Sequence, residues 1–374
     1  MALSSRRPDS RHRLPYYPSS LLDATWPGLS GWLTCPIGVR SISFQMDSVT
    51  TETPKNGEAL VLQPNLFVRK PMLAFAVLIA VNAMWAFQFS GARIATRELG
   101  PVYVTFVPLA LATLLVMPFT KLNGDLFKVE HRRILIDIVL LGSLGIVPAQ
   151  LCLVYGVERT LASNASVLSL TVPVLTALSA SLFLGERLTR LRILSFAVAI
   201  FGVCIVSARD IHDARLFRLA YVSGNLFVLA SCAGSAFYNS YSRRALSRFS
   251  PAQVLVWSFI VADLELLAFA AFKEPAGWVR LAHLQPTVWW TLTLLAIFSL
   301  GLSMLLYFSV IQAVEVMRAA LSIYLLPVFG LVFSVILLGE KFTTSLLVGG
   351  AMIFASCFLV TVYEEHQRMR KVHP

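Results

Sequence analysis

From Met72 onward the chain alternates apolar runs of about twenty residues with short polar connections, and that run length is what a helix needs to cross the hydrocarbon core of a bilayer. The pattern predicts ten transmembrane helices, near Met72 to Ala92, Val102 to Phe119, Ile134 to Tyr155, Ser163 to Leu184, Ile193 to Ala208, Leu219 to Tyr241, Ala252 to Phe272, Val288 to Val310, Ala319 to Leu338 and Ser345 to Tyr363. The expected fold is therefore an all-α integral membrane protein. Residues 1–70 read instead as a disordered tail, rich in Ser, Pro and Arg and without the apolar run of a secretory signal.

Composition agrees: 57% of the residues are hydrophobic and only 14% charged, too little polar surface for a soluble fold of 374 residues. The net charge of +11 is no nucleic-acid stripe, because the basic residues sit in short clusters between apolar runs. Lys121, Lys128, Arg132 and Arg133 fall in one connection, Arg187, Arg190 and Arg192 in another, and Arg243, Arg244 and Arg248 in a third. These alternate connections share a side with Arg69, Lys70 and the basic tail 364–374, which puts both termini in the cytoplasm.

Three readings of the tail stay open. It is an artefact upstream of a true start at Met46, a plain cytoplasmic extension, or an organelle transit segment. The plasma membrane is the expected location, and an organelle membrane replaces it if the tail is a transit segment.

The chain repeats itself. Val172-Pro173-Val174 followed by Phe183-Leu184-Gly185-Glu186-Arg187-Leu188-Thr189 is answered by Leu326-Pro327-Val328 followed by Leu337-Leu338-Gly339-Glu340-Lys341-Phe342-Thr343, at one constant spacing. Ala86-Phe87, Ser90, Arg93 and Pro101 likewise align with Ala236-Phe237, Ser240, Arg243 and Pro251. Residues 71–208 and 209–363 are thus expected to be two repeats of five helices. Five is odd, so the second crosses the membrane in the opposite sense, the inverted topology of many secondary transporters.

On these residues the sequence resembles the EamA-type family of the drug/metabolite transporter superfamily. Its repeat ends in a span with small residues, a proline and a Phe-Leu-Gly-Glu-like helix end. Ser166, Pro173, Thr176, Ala180 and Phe183 to Glu186 match in the first copy, Ala320, Pro327, Gly330, Ser334 and Leu338 to Glu340 in the second, and Trp85 matches a tryptophan common in the family's first span. The resemblance implies a secondary active transporter, of export type, for small metabolites or amphipathic compounds. A non-transporting sensor or a membrane enzyme on the same helices is the alternative, because fold does not fix function.

Polar side chains in hydrocarbon are costly and tend to face a cavity or another helix, so their spacing marks a candidate pathway. Asn82 and Trp85 share a stripe in the first span with Gln88 at its edge. Gln150 and Tyr155 come from the third, Ser166 from the fourth, Ser235, Tyr238 and Asn239 from the sixth, Ser303 and Tyr307 from the eighth, and Arg318 and Tyr324 from the ninth. Pro173 and Pro327 are candidate hinges, since proline removes a backbone hydrogen bond at matched depth. Asp263 and Glu265, in the middle of the seventh span, are the candidates for proton coupling. Glu186 and Glu340 read as structural carboxylates at helix ends, snorkelling or pairing with Arg187 or Lys341.

No ATP-cradling loop, nucleophile turn, cysteine framework or metal-ligand spacing is present, so neither an enzyme, a cofactor nor a metal is expected. The implied partners are a small-molecule substrate and the lipid bilayer, with a homodimer left open.

Overall fold

Within a bilayer each backbone N–H and C=O must find its partner inside the protein, and for chains of this pattern the α-helix is the solution. The computed structural model describes residues 71–120, 132–184, 190–207, 219–246, 249–311 and 322–372, and among these every regular element is helical. Helix α1 spans Pro71–Ala95 and α2 Pro101–Val116. Helix α3 (Arg132–Leu140) runs through wider π-type turns at Leu141–Ile146 and Pro148–Cys152 into α4 (Leu153–Arg159). Helix α5 (Ala162–Leu168) meets α6 (Val172–Leu184) across a tight 3₁₀ turn at Ser169–Thr171. Then follow α7 (Arg190–Ser207), α8 (Leu219–Tyr241), α9 (Arg243–Leu246), α10 (Pro251–Lys273) and α11 (Gly277–Ala282). Helix α12 (Pro286–Leu294) passes through π-type turns at Leu295–Leu302 into α13 (Ser303–Ile311). A 3₁₀ turn at Ile323–Leu325 leads into α14 (Leu326–Leu338), and α15 (Thr344–Val372) ends the described chain.

Five stretches are long and apolar enough to cross a membrane: Met72–Ala95, Ile134–Arg159, Ala162–Phe183, Ala252–Lys273 and Pro286–Tyr307. Pro101–Val116, Ile193–Val206, Ile323–Leu338 and Thr344–Leu359 are shorter apolar helices. Helix α8 is as long as the first group but more polar, with Asn225, Ser231, Ser235, Asn239 and Ser240 along it. Large apolar side chains such as Phe272, Ile336 and Leu182 stand on the outside, where a water-soluble protein would place charge.

The irregularities repeat. The π-type turns opening at Leu141 and Leu295, the 3₁₀ turns opening at Ser169 and Ile323, and the helices opening at Val172 and Leu326 all recur at the spacing that separates Pro173 from Pro327. Each proline closely follows a 3₁₀ turn, with right-handed helical backbone on both sides of the junction, so Ala162–Phe183 runs as one helical stretch. The proline ring removes one bond from the ladder there, and the irregularity in each rod is the 3₁₀ turn just before it.

Packing is exchanged along the chain. Helix α1 lies against α13, α14 and the Leu295–Leu302 turns, whereas α8 lies against α4, α6 and the turns at Leu141–Ile146 and Pro148–Cys152. Helix α2 packs on Leu295–Leu302 and on α10, and α10 in turn on Leu141–Ile146. Helices α7 and α15 pair closely, because Gly202 and Gly349 face each other: a Cβ added at Gly202 would stand 2.8 Å from the Gly349 carbonyl oxygen.

Carboxylates and one guanidinium complete the helix ends at one end of the bundle. Helix α14 stops because Gly339 takes a left-handed conformation, φ 66°, with its N–H on the Val335 carbonyl and that of Glu340 on Ser334. The turn delivers the Glu340 carboxylate to the start of α5, where the N–H groups of Ala162 and Ser163 donate to its two oxygens at 2.9 Å each. Glu340 is therefore a helix cap, not a residue paired with Lys341, while Glu186 lies outside the described residues. Glu98 accepts from Gln285 N–H at the head of α12, and Arg93 donates to the carbonyls of Val157 and Glu158 at the tail of α4. Each charge complements the macrodipole of the helix it caps.

Candidate substrate site

Helix α1 carries three of the candidate residues, Asn82, Trp85 and Gln88, in successive turns. Asn82 is buried, and its Nδ2–H donates to the Leu78 carbonyl at 2.8 Å and to Ser322 Oγ at 3.2 Å, from the segment leading into α14. One turn on, Trp85 lies against Tyr307 of α13 with ring centroids 5.1 Å apart and planes tilted by 56°. The next turn carries Gln88, whose amide donates to Gln150 Oε1 in the π-type turns. Wider turns displace a side chain from α-helical register, and here they bring the amide of Gln150 to α1. On the far side Ser299 Oγ donates to the Met84 carbonyl at 2.7 Å, and Ser303 bonds back to the Ser299 carbonyl at 2.7 Å. Ser303 thus serves its own helix.

Two atoms of this stripe have no hydrogen-bond partner although both are buried: Asn82 Oδ1 and Trp85 Nε1. An unmet buried donor or acceptor costs about 1–3 kcal/mol, so both are groups that a further partner would stabilise.

The remaining candidates lie elsewhere. Tyr155 stacks on Phe227 with centroids 5.5 Å apart, and Arg159 caps both rings at 5.3 and 4.8 Å. Ser166 is buried against Gly330, where an added Cβ would collide with it, and donates to the Ser163 carbonyl at 2.8 Å. Tyr238 reaches Ser258 on α10 at 3.3 Å, Ser235 is half-buried and Asn239 is exposed. Tyr324 is buried against Phe354 and Phe358 of α15. Arg318 lies outside the described residues.

Asp263 and Glu265 leave α10 on opposite sides. Asp263 Oδ2 lies 2.6 Å from Thr113 Oγ1 on α2, and that hydroxyl is also 2.9 Å from the Leu109 carbonyl, so its single hydrogen serves one acceptor at a time. Asp263 Oδ1 is buried without a partner, and Glu265 accepts from Ser143 in the π-type turns. Sequence reasoning missed Thr113, Ser143 and Ser322. For Thr113 a signal existed, a lone hydroxyl in an otherwise apolar turn of α2.

Long apolar helices with large apolar side chains on their outer faces are those of a multi-helix integral membrane protein. The EamA-like transporter family matches residues 72–208 and again 222–362, and the chain belongs to that family. Among its relatives, the uncharacterized transporter YoaV of Bacillus subtilis is 22% identical, over 76% of this chain and 95% of its own. A probable terminal-alkyne amino-acid exporter of Streptantibioticus cattleyicolor is 27% identical over 76% of this chain and 91% of its own. A chloroplastic WAT1-related protein of Arabidopsis thaliana is 25% identical over 78% and 70%. A crystal structure that shares the fold has a TM-score of 0.54 at 16% identity and covers 79% of this chain and 99% of its own.

Proposed function

We propose that the chain is a secondary transporter that exports a small polar or amphipathic molecule by alternating access between two five-helix halves, 71–208 and 209–363, of inverted topology. The observation that carries this reading is the matched pair of broken helices. The same π-type turns, 3₁₀ turn and following helix recur at one spacing, and α1 and α8 each pack on the helices of the opposite half. Halves built alike and exchanged in this way have two equivalent packings to move between. The 3₁₀ turns ahead of Pro173 and Pro327 are the hinges, and the Asn82–Trp85–Gln88 stripe with Gln150 and Tyr307 is the substrate site.

Export is favoured by the relative named as an amino-acid exporter. The clustering of basic residues supports cytoplasmic termini, and the plasma membrane is the location proposed with this reading. Purified protein in sealed vesicles, offered amino acids, nucleosides and amphipathic amines with and without a proton gradient, tests the reading. Flux of one class above protein-free vesicles is the expected result. Ligand binding without flux overturns transport and leaves a sensor.

A further inference from the structure

We propose that Trp85 Nε1–H and Asn82 Oδ1 form a paired subsite for a solute with a neutral donor–acceptor group, such as a carboxamide, attached to a flat apolar body. The two side chains are three residues apart on α1, so they share one face about 4.5 Å apart along the axis. One offers an unmet hydrogen-bond donor and the other an unmet acceptor, both buried. The other bonds of Asn82, to Leu78 and Ser322, use its Nδ2 and so fix which atom is presented. Beside them the tilted rings of Trp85 and Tyr307 give an apolar wall, which continues into Ala74, Leu78 and Val310. A carbonyl oxygen accepting from Trp85 and an N–H donating to Asn82 meet both orphaned atoms at once. Neither protein group is ionic, so this pair selects by hydrogen bonding and shape. The inference deepens the transporter reading and takes its biological meaning from it.

The test uses the full chain in lipid nanodiscs with three probes: hydrocinnamamide, its N,N-dimethyl derivative, which lacks the donor, and propylbenzene, which lacks both polar groups. Wild type is expected to bind the primary amide about tenfold more tightly than the dimethyl amide, and that about tenfold more tightly than propylbenzene, one hydrogen bond at each step. Trp85→Phe keeps an aromatic ring and removes the N–H. It should weaken both amides about tenfold and leave propylbenzene unchanged. Should that variant misfold, the ranking of the probes on wild type still decides. Equal affinities, no binding of any probe, or Trp85→Phe without effect on the amides overturns the subsite. Flux of the probes into proteoliposomes separates the two readings. The expected binding pattern without flux keeps the subsite and defeats transport, whereas flux without the pattern defeats the subsite alone.

Discussion

The carboxylate of Glu340 caps the helix that opens at Ala162, a residue 178 positions earlier in the chain. Read along the sequence, Leu338-Gly339-Glu340 is a helix end. In three dimensions it is a helix end and a helix start held together. Gly339 supplies the left-handed turn that stops α14, and the glutamate it redirects satisfies two N–H groups that α5 would otherwise leave unpaired.

Glu340→Ala is expected to lower stability by about 1–2 kcal/mol through the lost cap, and Gly339→Ala by about 1 kcal/mol through its positive φ. Glu340→Gln, which keeps one acceptor oxygen, should fall between wild type and Glu340→Ala. Unfolding midpoints in lipid nanodiscs read the order, and a Glu340→Ala midpoint equal to wild type would remove the cap from the account.

The family and the helical class were legible because both depend on short-range regularities, apolar run length and a motif repeated at fixed spacing. The α1 stripe was legible too, since helical period puts Asn82 and Trp85 on one face. What the sequence could not yield are pairings made by tertiary contact. Thr113 meets Asp263 across 150 positions and Asn82 meets Ser322 across 240, and no local pattern specifies either bond. The prolines were legible only in part. Pro173 and Pro327 stood out as candidate hinges, but the 3₁₀ turn that precedes each is a backbone detail no residue pattern specifies.

Gly202 and Gly349 let α7 and α15 approach to backbone contact. Gly202→Val is expected to destabilise the protein by about 1–3 kcal/mol, because the added carbons meet the Gly349 carbonyl oxygen, which cannot swing aside, as well as the Ile353 side chain. Phe201→Leu, on the exposed face one residue away, is the control expected to stay near wild type. Equal thermal midpoints for the two variants would show that this contact contributes little.

Glu274 follows the last turn of α10, outside the spans, with its carboxylate packed onto Gly100 at the head of α2. Burial raises its pKa above the ordinary carboxylate value, a hydrogen bond from the Val102 backbone opposes this, nearby Glu158 adds to it and Arg280 offsets it. The folded state therefore holds this proton more tightly than the unfolded chain. The resulting stability is fully present below the unfolded pKa and is lost as pH rises through the folded one. Midpoints of wild type measured upward from about pH 4 should carry this downward contribution, and Glu274→Gln should lack it. Identical pH profiles for the two proteins would contradict the assignment.

Asp263, proposed as a residue for coupling to a proton gradient, can be tested directly. It sits within α10, one oxygen on Thr113 and the other buried without a partner. Asp263→Asn keeps the shape and still accepts a hydrogen bond from Thr113, but it cannot exchange a proton. The variant is therefore expected to fold and insert normally. If the proton couples here, Asn resembles the permanently protonated carrier: it should lose gradient-driven accumulation of whichever substrate the vesicle screen identifies, while exchange of substrate for substrate continues at a rate near wild type. Thr113→Val should also impair accumulation, because the hydroxyl that Asp263 engages is gone while the volume of the side chain is kept. Glu265→Gln, bonded to Ser143 on the other side of α10, tests whether the second carboxylate shares the task. Full accumulation in well-folded Asp263→Asn and Glu265→Gln would eliminate coupling through this pair, and the driving force would then be the gradient of the substrate itself or a proton path that uses neither carboxylate.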